Sequence, residues 1–524
     1  MVRRRFARPA HCRPPPDSAR RRTPVGSLRP RNRAEGEAVS TLRTPVACGV
    51  DIGSTNAKVV ALDREGTVVA RAVRRTPRDA EGLWIDADAL FAAVEEMVLE
   101  VCGQRFEVHA ICSAGVGEDG VLVDAALYPL TKALAWFDPR RNRIYRTFEP
   151  QLVADGEFDT AADPVRTLVG WSWARRQPGA DSAASWVALS DLAGVRWSGR
   201  PFLSDTLASR TGAWRSRDRA WADERVALTL GTSSLLPPVV STGEPVGALD
   251  SAVLRAAGLL AADAMVVAGG HDHPIGGWGV DQLVPGAVLD SMGTAEVVVA
   301  QSPRPVAGRR EGIDVAPGIR SAGATLLRVE ELSRNVEWAA QDPAVARQLR
   351  ALLEGGAAPV PVLEDGFFVP GSRGGGRPMY ALDAPRDPLA RASAVLGALA
   401  CAGRDAVDAV RAALVGGLDA VGSTAGTPGG GTSAPALDAR AGAGSEVRLA
   451  GGWVRSPGWV EIKTAVNGYR TAAILEPEVT AVGAALLAAK ARGWEPDPAR
   501  ALGGTQLAAT FTSSGTTSVS TQVS

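Results

Sequence analysis

Asp272 stands between two histidines, directly after an apolar run that ends in two glycines, in the segment VVAGGHDH at residues 266–273. This pattern predicts a buried strand whose end presents a carboxylate beside two imidazoles. A carboxylate in such a place can orient an acceptor hydroxyl and take up its proton, so Asp272 is the candidate general base. Two alternatives remain open here: a zinc site built from the three side chains, and an Asp that only caps a helix.

A polar turn near the start of the chain has residue types that bind phosphate. The segment DIGSTNAK at residues 51–58 combines a strand-ending carboxylate, a glycine, two hydroxyls and a lysine. Glycine allows close backbone approach, clustered backbone N–H groups suit phosphate oxygens, and a carboxylate is a hard ligand that can hold Mg²⁺ through water. The candidate residues are Asp51, which is also the candidate Mg²⁺ ligand, with Gly53, Ser54, Thr55 and Lys58. An ordinary tight hairpin without a ligand is the alternative.

A second segment, AVLDSMGTAEVVVA at residues 287–300, repeats the pattern of CGVDIGSTNAKVVA at residues 48–61. Each segment has an apolar strand with an Asp, a Gly/Ser/Thr turn and a second, Val-rich strand. Two such hairpins in one chain predict two related domains that face each other. The turn Gly293-Thr294 is therefore the candidate second phosphate clamp.

The elements that must position these turns are those of an α/β protein. The pattern predicts an antiparallel meander of strands over residues 46–50, 57–62 and 67–72. It also predicts an Asp-capped helix over residues 88–101 and a buried strand over residues 108–112. A length of 524 residues exceeds one ordinary core and indicates at least two domains.

Composition excludes several classes of protein. The 57 basic and 57 acidic side chains balance, so no overall positive field attracts nucleic acid or an anionic membrane. No apolar run reaches the roughly 18 residues that cross a bilayer. The five cysteines are scattered, which is typical of reduced thiols. We therefore expect a cytoplasmic protein without nucleic-acid or membrane partners, and a homodimer remains open.

Three segments have compositions that disfavour a packed core. Residues 1–44 are rich in Arg and Pro, residues 422–444 are rich in Gly, Ala, Ser and Thr, and residues 496–524 form a Ser/Thr-rich tail. We expect the first and last to be disordered, and the middle one to be a flexible insertion. For the first segment three origins stay open: a transit peptide, a basic nucleic-acid arm, or a true translation start near Val39.

Taken in order, these motifs resemble those of the FGGY carbohydrate kinases, a family of the duplicated actin-like ATPase superfamily. The segments that carry the resemblance are DIGSTNAK, AGVGEDGVLVD, WFDPR, SDTLASRTG, AGGHD, GT, and GGWVRSPGW with AVGAALLAA, between about residues 46 and 494. The resemblance implies an α/β fold with two actin-like (ribonuclease H-like) domains, residues 45–278 and 279–495, and a cleft between them. It implies transfer of a phosphoryl group from ATP, with Mg²⁺, to a hydroxyl of a ketopentose, ketohexose or polyol.

The resemblance also assigns residues that the patterns alone do not. Gly451 and Gly452 match the adenosine-binding turn, and Glu478 matches the helix region that closes this pocket. Glu118 and Asp138 point to the acceptor sugar, because carboxylates accept hydrogen bonds from vicinal hydroxyls. The phosphate-loop residues and the candidate base keep the roles already given. Two other functions on this fold stay open: an ATPase that drives a partner, and a non-catalytic sugar- or nucleotide-sensing protein.

Overall fold

The computed structural model describes residues 43–507 apart from residues 80, 81, 83, 154, 155, 157, 307, 360–365, 373–375, 420–445 and 504. The predicted disordered segment 1–44 therefore lies outside the described residues, except for its last two positions. The predicted insertion 422–444 lies outside them entirely. Within the described part, no helix is long and apolar enough to cross a membrane.

Strands and helices alternate along the described part of the chain, as in other α/β proteins. Its strands are β1 (Thr44–Ile52), β2 (Asn56–Leu62), β3 (Val68–Arg75), β4 (Trp84–Ile85), β5 (Phe106–Gly115), β6 (Gly120–Val123), β7 (Ala133–Leu134), β8 (Ser185–Ala188), β9 (Leu203–Ser204), β10 (Trp214–Arg215), β11 (Ala220–Trp221), β12 (Val239–Val240), β13 (Pro245–Ala248), β14 (Leu260–His271), β15 (Val288–Met292), β16 (Ala295–Ser302), β17 (Asp314–Pro317), β18 (Ala324–Glu331), β19 (Phe368–Val369), β20 (Met379–Tyr380), β21 (Glu446–Ala450), β22 (Arg470–Ile474) and β23 (Thr505–Leu507). Its α-helices are α1 (Ala87–Cys102), α2 (Arg140–Arg146), α3 (Thr167–Ala174), α4 (Leu189–Ser198), α5 (Asp205–Ala208), α6 (Asp223–Thr229), α7 (Ala252–Ala256), α8 (Asp272–Leu283), α9 (Ser333–Ala339), α10 (Pro343–Leu353), α11 (Pro388–Asp419), α12 (Pro457–Asn467), α13 (Val479–Ala491) and α14 (Pro498–Ala501). Short 3₁₀ helices cover Glu149–Gln151, Ala180–Ser182, Ser209–Thr211, Ser233–Leu235 and Gly452–Arg455.

The two large sheets share one topology. The first has the strand order β13-β14-β5-β1-β2-β3, and the second has the order β17-β18-β16-β15-β21-β22-β23. Each contains an antiparallel meander, β1-β2-β3 in the first and β15-β16-β18 in the second. On the other side of the first meander strand, each sheet continues with two parallel strands. These are β5 and β14 in the first sheet and β21 and β22 in the second. The duplication that the two hairpins predicted is therefore present.

The opening elements agree with the sequence prediction, although the strands are longer. The predicted meander and the following buried strand are present as β1, β2, β3 and β5, and α1 covers the predicted helix. The N-cap of α1 is Asp86, whose Oδ1 accepts a hydrogen bond of 2.9 Å from the N–H of Ala89. Local patterning was sufficient here because β1 and β5 are apolar runs buried over consecutive positions, while α1 buries apolar residues at helical spacing.

The predicted disordered tail 496–524 is wrong in its first part. The structure places α14 and β23 there, with β23 at the edge of the second sheet. Ala501 and Leu502 are buried in the core between the two sheets. Two apolar side chains thus anchor a segment whose overall composition disfavoured order. Residues 508–524 lie outside the described residues.

The two hairpins do not correspond residue for residue as their sequences suggested. In each turn a glycine N–H closes the loop, at Gly53 in the first and at Gly293 in the second, so these two glycines correspond. Ser291 then occupies the position of Asp51, and Asp290 is shifted by one residue. Because side chains alternate along a strand, Asp290 points to the opposite face. There it is fully buried and pairs with a lysine at 2.8 Å.

Helices α8 and α13 fill the space between the two sheets. Helix α8 packs on β15 and β16, helix α13 packs on β1 and β5, and the two helices contact each other. A Cβ on Gly49 of β1 would lie 1.9 Å from the carbonyl oxygen of Ala481 in α13. The strand therefore needs glycine at this position. The predicted domain boundary after residue 278 falls inside α8. Helix α13, from the C-terminal half of the chain, completes the core of the first sheet.

The variant Gly49→Ala should lower the free energy of unfolding by about 1–3 kcal/mol, because the backbone of α13 must move away from β1 to admit the methyl group. Chemical denaturation followed by tryptophan fluorescence measures this change. The control is Gly156→Ala, where a Cβ would meet no atom within 4 Å. An unchanged unfolding midpoint in Gly49→Ala would contradict the close packing of α13 on β1.

Candidate active site

A cleft of about 520 Å³ lies where β1 and β15 end and where α8 and α13 begin. All the predicted site residues except Asp138 line it: Asp51, Gly53, Ser54, Thr55, Lys58, Glu118, Asp272, Gly293, Thr294, Gly451, Gly452 and Glu478. The cleft thus gathers residues from both halves of the chain, which the two related hairpins predicted. Arg210, His271 and His273 also line it.

The first polar turn follows β1 and is held by hydrogen bonds on both sides. The N–H of Gly53 donates to the carbonyl oxygen of Asn56 at 3.0 Å, and Oγ1 of Thr76 donates to the carbonyl oxygen of Gly53 at 2.7 Å. At the end of β1, Asp51 accepts a hydrogen bond of 2.8 Å from Nζ of Lys58. The turn is therefore fixed against the cleft, as a phosphate-binding loop requires.

The second turn is held by residues that the sequence did not predict. The carbonyl oxygen of Gly293 accepts hydrogen bonds of 3.0 Å from Oγ of Ser333 and from Nε1 of Trp453. The N–H of Ser333 donates to the carbonyl oxygen of Thr294 at 3.0 Å. Trp453 follows the predicted adenosine turn, in which Gly451 adopts a φ of 90°. One indole N–H thereby connects the adenosine turn to the second phosphate turn.

Three carboxylates and one lysine face the part of the cleft between the turns. Nζ of Lys58 lies 2.8 Å from Asp51 and 3.3 Å from Oε2 of Glu478. Burial raises the pKa of Asp51 against the attraction of Lys58, and the negative charge of Asp272 raises this pKa further. A hard cation bound near Asp51 would relieve this excess of negative charge. The donor chemistry therefore fits Mg²⁺.

Asp272 is the first residue of α8 and is held by both neighbouring histidines. Its Oδ1 lies 2.6 Å from Nδ1 of His273, 2.7 Å from the backbone nitrogen of His273 and 3.2 Å from Nε2 of His271. Among the residues that the structure describes, these partners all meet Oδ1, so Oδ2 retains its capacity to accept a hydrogen bond in the cleft. Gly269 makes this strand end possible, since a Cβ there would lie 1.6 Å from the carbonyl oxygen of Ser113 in β5.

The same three side chains are the candidate zinc site of the sequence analysis. Their ligand atoms lie within 4.8 Å of one another. However, the Nδ1 atom of His273 and Oδ1 of Asp272 are only 2.6 Å apart, whereas two ligands of a tetrahedral zinc ion are about 3.3 Å apart. Hydrogen bonding of the carboxylate by the imidazoles therefore describes this arrangement better than zinc coordination does.

The electrostatics of this cluster keep Asp272 ionised. Burial raises its pKa, but the charges of His273 and His271 and the hydrogen bonds from His273 outweigh burial and hold the pKa below its ordinary value. Burial lowers the pKa of His271 to about 3 against the attraction of Asp272. Burial also acts to lower the pKa of His273, but Asp272 raises it by more. The start of a helix further favours a negative charge.

The wall beyond Asp272 is a cluster of buried charges around Glu118. Oε1 of Glu118 accepts hydrogen bonds from Nη2 and Nε of Arg210 at 2.7 and 3.0 Å. The same guanidinium reaches Oδ2 of Asp314 at 2.7 Å, and Arg166 reaches that oxygen at 3.0 Å. Neither arginine nor Asp314 was predicted from the sequence. Arg210 lies within the SDTLASRTG segment, but no spacing within that segment indicates its partners.

The structure contradicts the prediction for Asp138. Its side chain is fully buried, and Asp138 is not among the residues that line the cleft. Its Oδ1 and Oδ2 accept hydrogen bonds from Nε of Arg140 at 2.9 and 3.1 Å. Because this pair lies within two residues of the same turn, the carboxylate serves the local fold. In the same WFDPR segment, Trp136 is the residue that lines the cleft.

Comparisons with known proteins find carbohydrate kinases. Residues 46–279 match the model of the N-terminal domain of the FGGY family of carbohydrate kinases. The chain is 26% identical over 274 residues to the L-fuculokinase of Salmonella typhi, which covers 50% of this chain and 57% of that protein. It is 29% identical over 276 residues to the xylulose kinase of Streptomyces coelicolor, and this match covers 51% of this chain and 56% of that protein. The matched region thus spans little more than half the length of these relatives.

The fold comparison extends over both halves of the chain. The crystal structure of xylulose kinase from Rhodospirillum rubrum matches with a TM-score of 0.70 at 20% identity, over 88% of this chain and 94% of that chain. At this identity the likeness concerns the fold alone. Together with the duplicated sheets, it confirms the predicted α/β fold of two actin-like domains with a cleft between them.

Proposed function

We propose that this chain, which belongs to the FGGY family of carbohydrate kinases, transfers the terminal phosphoryl group of ATP to a hydroxyl of an uncharged sugar or polyol. Ketopentoses, ketohexoses and polyols are the acceptor classes. The observation that carries the proposal is the cleft-lining carboxylate of Asp272, opposite two hydrogen-bonded glycine turns. In this proposal residues 45–278 supply the first phosphate loop and the wall around Glu118, which we call the acceptor wall. Residues 279–495 supply the second phosphate loop and the adenosine turn.

The nucleotide would lie between the two turns. Gly293 and Thr294 would contact the phosphates from one side, and the first turn would contact them from the other. The adenosine would lie against Gly451 and Gly452. Asp51 would hold Mg²⁺ through water, and the ion would neutralise charge on the phosphate oxygens. The lysine beside Asp51 would then offer its charge to the terminal phosphate.

Asp272 would orient the acceptor hydroxyl through Oδ2. A carboxylate with a low pKa is a weak base, so its main task is to hold the attacking oxygen in line with the terminal phosphorus. As the new O–P bond forms and the bond to the leaving ADP oxygen breaks, the hydroxyl becomes acidic and its proton passes to Asp272. Positioning and electrostatics supply most of the rate in such transfers, which agrees with an aspartate held by two imidazoles.

The charges of the acceptor wall favour an uncharged acceptor over a sugar acid. In the described part of this wall, both buried arginines already face carboxylates, with Arg210 between Glu118 and Asp314 and Arg166 also at Asp314. A carboxylate on the acceptor would therefore have to compete with these three buried ion pairs. A neutral polyol needs only hydrogen bonds, and Trp136 offers an apolar face for its C–H groups.

The two alternative functions, a partner-driven ATPase and a sugar- or nucleotide-sensing protein, would require a different set of residues in the cleft. A sensor or a partner-driven ATPase has no need of a carboxylate directed at an acceptor. The placement of Asp272 and the charged wall around Glu118 therefore favour a kinase.

Asp272→Ala should lower kcat for acceptor-dependent ADP release by about 10²–10⁴-fold while ATP binding remains, because only the base is lost. A coupled assay with Mg-ATP and a panel of ketoses, aldoses, polyols and sugar acids measures the rate. Asp281→Asn, on the same helix α8 but outside the cleft, is the matched control.

Wild-type rates in Asp272→Ala would exclude the assigned base. ADP release by the wild-type protein that no acceptor stimulates would instead favour a partner-driven ATPase, and ATP binding without any turnover would favour a sensor.

Replacing His273 should move the acidic limb of the pH profile of kcat/KM to higher pH. The imidazole holds the pKa of Asp272 below its ordinary value, so its removal lets the pKa rise and the carboxylate become protonated at higher pH. His273→Leu removes both the charge and the side-chain hydrogen bond, whereas His273→Asn retains a donor near Nδ1. We expect a larger displacement in the Leu variant. An acidic limb that stays in place in both variants would contradict the role assigned to His273.

A further inference from the structure

We propose that Asp314 is a positioning residue through which the second sheet completes the acceptor site, so that acceptor binding depends on the approach of the two halves of the chain. This inference rests on the proposed function. Asp314 is not among the residues that line the cleft.

Asp314 begins β17, an edge strand of the second sheet. Its Oδ2 lies 2.7 Å from Nη1 of Arg210 and 3.0 Å from Nη2 of Arg166, and both arginines belong to the first half of the chain. One residue further along, the N–H of Val315 donates to the carbonyl oxygen of Asp159 at 2.9 Å. The edge of the second sheet is therefore joined to the first half at this point through side chain and backbone together.

Arg210 connects Asp314 to Glu118, which lines the cleft. Its Nη1 contacts Asp314, while Nε and Nη2 both contact Oε1 of Glu118. Because a guanidinium is planar and rigid, fixing one of its edges fixes the direction of the other. Arg166 lies 4.0 Å from the same oxygen of Glu118. The orientation of the carboxylate that faces the acceptor is thus set from the second sheet.

Burial makes this cluster sensitive to the loss of any one of its charges. The side chains of Glu118, Arg210 and Arg166 are 7%, 3% and 4% exposed, and that of Asp314 is 15% exposed. Charges removed from water in this way depend on their partners, and the loss of one partner disturbs the rest. Asp314 supplies one carboxylate to two arginines, so its loss leaves Arg210 with Glu118 alone and leaves Arg166 with Asp163 at 3.0 Å, which draws the two guanidinium groups apart.

The position of β17 connects this cluster to motion of the two halves. Opening the cleft by a rigid-body movement carries β17 away from the arginines and releases Glu118 from its present orientation. An acceptor that binds Glu118 in this orientation therefore favours the closed arrangement, and closure in turn favours the acceptor. ATP alone does not make this contact. The cluster would thereby help to restrict turnover to the state in which an acceptor is bound.

Asp314→Asn, measured in the whole chain, should raise KM for the acceptor by about tenfold or more, because the neutral amide no longer holds the arginines. KM for ATP should stay within about twofold. Asp314→Glu restores the charge and should recover part of the acceptor affinity. The matched control is Asp250→Asn, which removes a carboxylate from an exposed pair with Arg255 and should change neither constant.

Equal increases in KM for acceptor and ATP would overturn the inference, as would an unchanged acceptor KM in a folded Asp314→Asn protein. An Asp314→Glu variant no better than Asp314→Asn would show that only the packing of β17 matters. If Asp314→Asn does not fold, as judged by thermal denaturation, Asp314→Ser replaces it, because serine also removes the charge, and an unchanged acceptor KM in that variant would contradict the positioning role. Failure of the wild-type protein to release ADP with any acceptor would overturn the proposed function and this inference with it.

Discussion

Helices α8 and α13 meet at backbone distance between the two sheets, since a Cβ on Gly483 would lie 2.7 Å from the carbonyl oxygen of Ile275. Helix α13 approaches β1 as closely at Gly49. Both helices begin at the cleft, with Asp272 at the start of one and Glu478 just before the other. The separation between the candidate base and the first phosphate turn is therefore set by backbone contacts, which are much less compliant than side-chain contacts.

This packing brings together charges that would repel one another elsewhere. Asp51 and Glu478 both pair with Lys58 in the cleft. Burial raises the pKa of Asp51, and the nearby charge of Asp272 raises it further. Asp272 instead has a lowered pKa because two imidazoles face it. The two carboxylates thus suit different tasks: one suits a hard cation and the other suits a hydroxyl. This division agrees with phosphoryl transfer, in which charge placement supplies most of the catalysis.

The acceptor wall differs from the phosphate turns in how its residues are organised along the chain. Glu118 and Arg210 are separated by 92 residues, and Arg210 and Asp314 by 104. The phosphate turns, by contrast, are short continuous segments. A wall assembled from distant segments can vary in specificity while the nucleotide site stays the same, which agrees with a family whose members here are named for different sugars.

The sequence by itself determined the two hairpins, the identity of the glycine turns and the placement of Asp272 after a buried strand, because each depends on neighbours within a few residues. Only the tertiary structure decided that Asp138 is buried outside the cleft lining and that Ser291, rather than Asp290, corresponds to Asp51. A shift of one residue moves a strand side chain to the opposite face, and the turn geometry that fixes this register is not visible in composition. The ion pairs of Arg210 likewise required the fold, because burial and partner distance determine them, and neither is a local property of the chain.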